Sequence, residues 1–359
     1  MGISTLRKSS ALNSAAVNLL RNSGNVQAST KATINNLRAR SLETEAQTNW
    51  HHKITVTEKS TKKRGQFIKL EVSVIDTHPG ETDRPTVVAV HGSPGSGMDF
   101  EPLISHLVES GVRFVAPTTP GFEPSIVEPW KLLHLDYSTK GRALLLEKVL
   151  KEISVDRIDL LMSHSAGTWT GYKMAAEWEC VKSACFLNPC GARPHKSLRP
   201  FAFVQTLAWI LQQRSLHYLL MPLMERVYQK IGFTGIKGGD HIVVAQKIVT
   251  SQGFEDMPKY AYKIRERKLP LVFAFTLNDK IVETPVSKEM FLNHLGVPQH
   301  NLTRFSADQT PSGNSFCATE DGWVARGLLF ERGGHVVHKA YSKIILEHIA
   351  DLLAHAQKS

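Results

Sequence analysis

Two apolar periodicities alternate along the chain. Residues 66–75 place apolar side chains at nearly every second position, the spacing of a strand with one face in the core and the other in water. Residues 86–90, Thr-Val-Val-Ala-Val, are apolar and β-branched almost throughout, as a strand covered on both faces requires. A helix is expected over 99–109, followed by strand and helix at 112–116 and 137–153. A further strand at 157–162 leads into a helix from about 166, and another apolar run covers 181–187. Strands alternating with helices of this length predict an α/β fold, with a mostly parallel sheet and helices on both its faces.

The rhythm breaks between 193 and 268, where 201–211, 218–231 and 241–251 have helical lengths with no β run between them. This predicts a helical cap inserted into the sheet domain. Strand spacing resumes at 271–275, with a helix at 287–295, a looser stretch to 321, a strand at 328–331 and a closing helix at 338–356. The expected organisation is a basic leader or tail over 1–50, a core formed by 51–192 and 269–359, and a cap over 193–268. Apolar cap residues such as Phe201, Phe203, Leu207, Trp209, Ile210, Tyr218, Leu219 and Leu220 line a lipophilic pocket or seal the cap onto the sheet; a buried helical face is the commoner use.

Composition narrows the function classes. The 359 residues are 42% hydrophobic and 21% charged, with a formal net charge of +10, a globular profile. Part of the excess lies in the first fifty residues, where Arg7, Lys8, Arg21, Lys31, Arg38 and Arg40 face only Glu43 and Glu45. That Arg- and Ser-rich, acid-poor pattern predicts a mitochondrial import segment, with a cytoplasmic protein carrying a basic tail as the alternative. Beyond residue 50 the positive excess forms no arginine stripe, so no nucleic-acid partner is predicted. Gln205, Gln212, Gln213, Arg214 and His217 interrupt the longest apolar stretch, so no integral membrane span is expected. Cys180, Cys185, Cys190 and Cys317 form no CxxC pair, and no metal-ligand spacing appears among the histidines; neither a metal nor an organic cofactor is expected. The predicted partner is a small-molecule substrate, and oligomeric state is unreadable.

The chemistry concentrates at strand ends. Leu160-Leu161-Met162-Ser163-His164-Ser165-Ala166-Gly167 carries an apolar strand through a small-residue turn into a helix. This is the G-x-S-x-G elbow with Ser163 in the first glycine position, and it would lift the Ser165 hydroxyl above the carboxyl end of the strand. Upstream, His91-Gly92-Ser93-Pro94-Gly95-Ser96-Gly97 leaves an earlier strand. The amides of Ser93 and Ala166 are the candidate donors to an oxyanion.

Chain order places an acid and then a histidine after the nucleophile. Asp279 follows the 271–275 strand, with Glu283 as the competing acid four residues on. His335 stands in Gly333-Gly334-His335, with His338 as the alternative base. The strand before Asp279 ends Leu187-Asn188-Pro189, without a carboxylate. Singly, these residues read as a helix cap, a turn serine and a surface histidine; their order at three strand ends makes a set suited to nucleophilic catalysis.

These motifs resemble the α/β-hydrolase superfamily over about residues 66–356. His91-Gly92-Ser93-Pro94-Gly95 is similar to its oxyanion loop, Pro117-Thr118-Thr119-Pro120-Gly121-Phe122 to the turn after the next strand, and Gly333-Gly334-His335 to its histidine loop. The run 188–195, Asn-Pro-Cys-Gly-Ala-Arg-Pro-His, resembles a nematode-expanded group of hydrolase-like proteins. The resemblance implies an eight-stranded, mostly parallel sheet, a helical cap after the sixth strand and a pocket between them. Ser165 then implies acyl chemistry through an acyl-enzyme on an ester, thioester or amide of a small apolar substrate. Hydrolysis of a carbon–carbon bond uses much the same residues. Two departures, Ser163 for glycine and Thr168 where a second small residue is common, motivate a third reading, a hydrolase-fold binding protein without chemistry.

Overall fold

The computed structural model describes residues 50–230, 238–312 and 319–358. The chain divides into two units, Met1–His51 and His52–Ser359, and the predicted leader lies outside the described residues apart from Trp50. The second unit is built on one sheet. Its strands are β1 (His51–Lys59), β2 (Phe67–Asp76), β3 (Thr86–Val90), β4 (Arg113–Pro117), β5 (Leu160–His164), β6 (Ala184–Leu187), β7 (Leu271–Thr276), β8 (Leu302–Phe305), β9 (Pro311–Ser312) and β10 (Ala325–Phe330). Their spatial order is β1-β2-β4-β3-β5-β6-β7-β10-β8-β9.

The six pairings from β4 through β3, β5, β6, β7 and β10 to β8 are parallel, whereas β2 runs antiparallel to β4 and β9 to β8. Every residue of β3, β4, β5, β6 and β7 is buried, which is why these segments read as unbroken apolar runs rather than alternating ones. Two helix groups account for the two covered faces. Helices Thr139–Glu152, Gly167–Glu177 and Met257–Glu266 pack successively on one another, while Glu101–Glu109 and Ser342–Ala356 contact each other, and both groups reach β5.

Among the described residues ten strands replace the eight expected. The additions are edge strands: in β1 only Val56 is buried, so its mixed polar surface carries little hydrophobic signal, and β9 has two residues. β8 falls within the looser stretch before 321. The closing helix is also divided, into Val337–Ala340 and Ser342–Ala356.

Between β6 and β7 lie helices Phe201–Leu211, Arg214–Lys230, Gly239–Thr250 and Met257–Glu266. The first three pack on one another, but the fourth buries Met257, Ala261 and Ile264 and packs on Gly167–Glu177, so it belongs with the layer beside the sheet. Neither expected use of the apolar cap residues fits Phe203 and Trp209, which are each 64% exposed. Helix Phe201–Leu211 is apolar nearly all round and buries chiefly Ala208 and Leu211; a helix has one packed face, and the surplus apolar side chains face outward. No helix among the described residues is long and apolar enough to cross a membrane.

Candidate active site

β5 delivers Ser165 to the carboxyl end of the sheet. The turn is tight enough to hold Ser165 at a φ of 51°, a left-handed conformation that a non-glycine residue occupies at a cost. Its amide donates to Leu187 O at 3.0 Å, and its carbonyl accepts from the Thr168 amide at 2.9 Å and the Thr168 hydroxyl at 2.6 Å. Thr168 Oγ1 in turn accepts from the Cys190 amide at 3.1 Å, while Trp169 Nε1 donates to Gly191 O and Tyr172 Oη to Cys190 O. The first turn of helix Gly167–Glu177 is therefore sutured to the loop after β6. Thr168, a departure from the familiar pattern, is one of the stitches.

The second departure is accommodated by a glycine one turn along the same helix. A Cβ on Gly171 would stand 2.9 Å from Ser163 Cβ and closer still to Ser163 Oγ. The volume that the elbow loses by having serine at 163 is returned at 171. The Ser163 hydroxyl itself is buried without a hydrogen-bond partner among the described residues.

Three strand ends meet at Ser165. His335 Nε2 lies 2.7 Å from Ser165 Oγ, and His335 Nδ1 lies 2.8 Å from Asp279 Oδ2. Because an ionised carboxylate only accepts, the imidazole carries its proton on Nδ1 and offers the Nε2 lone pair to the serine hydroxyl. Asp279 Oδ1 accepts from the amides of Ile281 at 2.8 Å and Val282 at 3.0 Å. Burial pulls the Asp279 pKa upward, but the bond to His335, its charge and these two amides outweigh burial and leave it below the ordinary value. The Asp279 side chain is 2% exposed and that of His335 15%, so the carboxylate is sealed while the imidazole reaches the surface of the site. Gly333 and Gly334 both have positive φ, 115° and 65°, the conformation that turns the loop after β10 inward.

Glu283, the alternative acid, is engaged elsewhere. Its carboxylate accepts from the Lys196 amide at 2.6 Å and pairs with Arg199, with Arg193 at 3.9 Å. It ties the start of the helical insertion to the loop after β7. His338, the alternative base, donates to or accepts from no group of Ser165: its Nε2 bonds the Asp99 carbonyl at 2.9 Å and its ring stacks on Phe100. Burial lowers its pKa to about 4. It faces the helix group on the other side of the strand ends because the short helix Val337–Ala340 turns it inward to the core.

The Ser93 loop is pressed against the elbow. A Cβ on Gly167 would fall 2.5 Å from Val90 O and closer to His91 O, and a Cβ on Gly92 would fall 3.1 Å from Ser165 Cβ. At 167 only glycine permits this approach, while at 92 a side chain would crowd the serine. Ala166 heads helix Gly167–Glu177, where amides lack intrahelical acceptors, and the Gly92 contact brings the loop that carries Ser93 against the Ser165 side chain.

Sequence reasoning missed Asn188. At a φ of 41°, it donates through Nδ2 to Asp279 Oδ2 at 3.0 Å and to Gly334 O at 3.3 Å, and accepts on Oδ1 from the Val337 amide at 2.9 Å. One side chain thus grips both the carboxylate and the histidine loop. The available signal was an asparagine followed by proline directly after a buried strand, since asparagine tolerates the left-handed region. His164 was also overlooked; its Nε2 lies 2.8 Å from His335 O, and burial with neighbouring histidines holds its pKa well below the ordinary value.

Comparison with known proteins agrees with this architecture. Residues 51–354 match the family described as alpha/beta hydrolase of unknown function (DUF1057). An uncharacterized protein of Caenorhabditis elegans, F35H12.5, is 21% identical over 323 residues, covering 85% of this chain and 87% of its own. Among solved structures, an esterase from Exiguobacterium antarcticum superposes with a TM-score of 0.55 at 13% identity, covering 84% of this chain and all of its own. The enol-lactonase of Burkholderia xenovorans LB400 gives 0.55 at 12% identity, covering 83% of this chain and all of its own. At these identities the structural likeness is one of fold.

Proposed function

Since the chain belongs to the alpha/beta-hydrolase family DUF1057, we propose that it is a serine hydrolase acting on an ester, thioester or amide of a small apolar molecule through an acyl-enzyme. The observation that carries this reading is the unbroken hydrogen-bonded path from Asp279 through His335 to Ser165, with links of 2.8 and 2.7 Å. His335 Nε2 takes the hydroxyl proton as Ser165 Oγ attacks the substrate carbonyl carbon. Asp279 holds the ring and stabilises the imidazolium that forms. The amides of Ala166 and Ser93 receive the oxyanion. Collapse of the tetrahedral intermediate expels the leaving group, which His335 protonates; water, deprotonated by His335, then attacks the acyl-enzyme and releases acid and free Ser165.

The apolar preference is inferred from the helical segment between β6 and β7, whose Phe201, Leu207 and Leu220 are partly buried against the core. The test is labelling with a fluorophosphonate and turnover of p-nitrophenyl esters. Ser165→Ala should abolish both in protein of unchanged fold. Labelling that persists in Ser165→Ala overturns the nucleophile assignment, and folded wild-type protein that neither labels nor turns over favours a binding role.

A further inference from the structure

Two arginines of the described fold are almost wholly buried, and they are treated differently. Arg113 lies against Asp76, with Nε to Oδ1 at 3.0 Å and Nη2 to Oδ2 at 2.6 Å, and also donates to Ile153 O. Its charge is neutralised in place. Arg142, 5% exposed on helix Thr139–Glu152, has no carboxylate of the described residues within ion-pair distance. Its Nη1 and Nη2 make long bonds of 3.3 and 3.4 Å to the Ala166 carbonyl alone, and its Nε is buried without a partner. Beside it lies a cavity of about 20 Å³ bordered by Val90, Thr118, Thr119 and Leu146, room for one water or a monatomic ion. Burial lowers the Arg142 pKa to about 10, against opposing pulls from Cys190 and Asp136, so the group is still a cation at neutral pH.

A buried cation without an ion-paired counter-charge is expensive in the resting protein, and its position shows where a counter-charge could arise. The carbonyl it touches belongs to Ala166, the residue whose amide faces the proposed oxyanion. We propose that Arg142 is a positioning residue for acyl transfer, a fixed positive charge behind Ala166 whose counter-charge is the transient oxyanion. This rests on the serine-hydrolase reading and extends it. The cation orients the head of helix Gly167–Glu177 through the Ala166 carbonyl and adds to the positive potential that the helix start already presents. Its charge acts most strongly when the oxyanion exists, so it stabilises the transition state more than the bound substrate. Acting through Ala166, from the carbonyl the cation holds in one peptide to the amide of the preceding one, and in a medium of intermediate dielectric, the effect amounts to about tenfold in rate.

The experiment compares wild type, Arg142→Met and Arg142→Lys for p-nitrophenyl butyrate turnover, fluorophosphonate labelling rate and melting temperature, in sodium chloride and in sodium gluconate. Arg142→Met should lose about tenfold in kcat and in labelling rate with KM little changed. Its melting temperature should be equal or higher, because an unpaired buried charge has been replaced by an apolar chain of similar length. Arg142→Lys should lie between the two in rate. A labelling rate unchanged in Arg142→Met, a loss confined to KM, a loss matched by a fall in melting temperature, or a lysine variant as slow as the methionine one would each overturn the proposal. So would chloride-dependent stability present in wild type and absent in Arg142→Met, which would place a resident anion in the cavity. Wild type that shows no Ser165-dependent labelling would bring down the hydrolase reading and this inference together; normal wild-type labelling with an unaffected methionine variant brings down the inference alone.

Discussion

The pairing of Ser163 with Gly171 is testable by a double-mutant cycle. In Gly171→Ala the new methyl would sit 2.9 Å from Ser163 Cβ, nearer still to its hydroxyl, and 3.3 Å from Phe186 Cε1. Overpacking of this kind costs about 1–3 kcal/mol, and the better helix propensity of alanine returns at most about 1 kcal/mol. The single variant should therefore lose roughly 1–2 kcal/mol. Ser163→Gly removes a buried hydroxyl that has no partner, a gain of about 1–3 kcal/mol, offset by about 0.5–1 kcal/mol for glycine within a strand. In the double variant the methyl meets only the Phe186 ring, which can yield by a few tenths of an ångström, and the penalty largely disappears. Urea unfolding of the four proteins at fixed pH should give a coupling of about 1–3 kcal/mol, with the double variant at least as stable as wild type. Additivity within about 0.5 kcal/mol would refute the compensation, as would an equal loss from Gly171→Ala in both backgrounds.

Three further outcomes follow from the same geometry. Asn188→Ala removes the amide shared by Asp279 and Gly334 and leaves the Val337 amide without its acceptor; kcat for an ester should fall by about 10- to 100-fold, with KM changing less, and a rate equal to wild type would show that Asp279 needs no support. His338 is neutral in the fold, with a pKa of about 4 against an ordinary 6.5. The unfolded chain therefore binds more protons between those values, and the stability His338 contributes is present above pH 6.5 and lost as pH falls toward 4. Its surroundings are the Asp99 carbonyl, Phe100, His164, His335 and Lys339, and the Asp99 carboxyl, raised by burial to about 6, slopes the other way in both proteins. In His338→Phe the loss of unfolding free energy between pH 6.5 and 4 should be smaller by about 3 kcal/mol; parallel curves would sink the assignment. Asp279→Asn should lower turnover by several orders of magnitude with little change in melting temperature, whereas Glu283→Gln should leave turnover near wild type, and the reverse result would exchange their roles.

The central strands and the Ser165, Asp279 and His335 group were legible because each depends on local pattern. Buried parallel strands read as mainly apolar runs, Ser165 and His335 stand beside Ala166 and Gly334, and Asp279 lies in a short polar stretch just after a buried strand, all three in a fixed chain order. What escaped depends on contacts between distant segments. Asn188 reaches Asp279 across 91 positions, and nothing in Leu-Asn-Pro reveals which carboxylate it meets. Arg142 reads as one polar position in an amphipathic helix, and its lack of an ion-paired acid among the described residues is visible only in three dimensions. Gly171 looks like a helix weakness until the hydroxyl facing it is known. Phe203 and Trp209 mislead in the other direction, since apolar periodicity says that a helix has surplus greasy positions but not which of them lose the contest for the packed side. β1 was missed because a mostly hydrated edge is built from polar residues.

The amide of Asn188 and the imidazole of His335 meet on one oxygen, Oδ2 of Asp279. An aspartate at 188 would turn a second anion toward Asp279 and toward the Gly334 carbonyl, and charges so close resist joint ionisation. The neutral amide therefore lets one carboxylate stay ionised while the chain on either side of His335 is held in place from below.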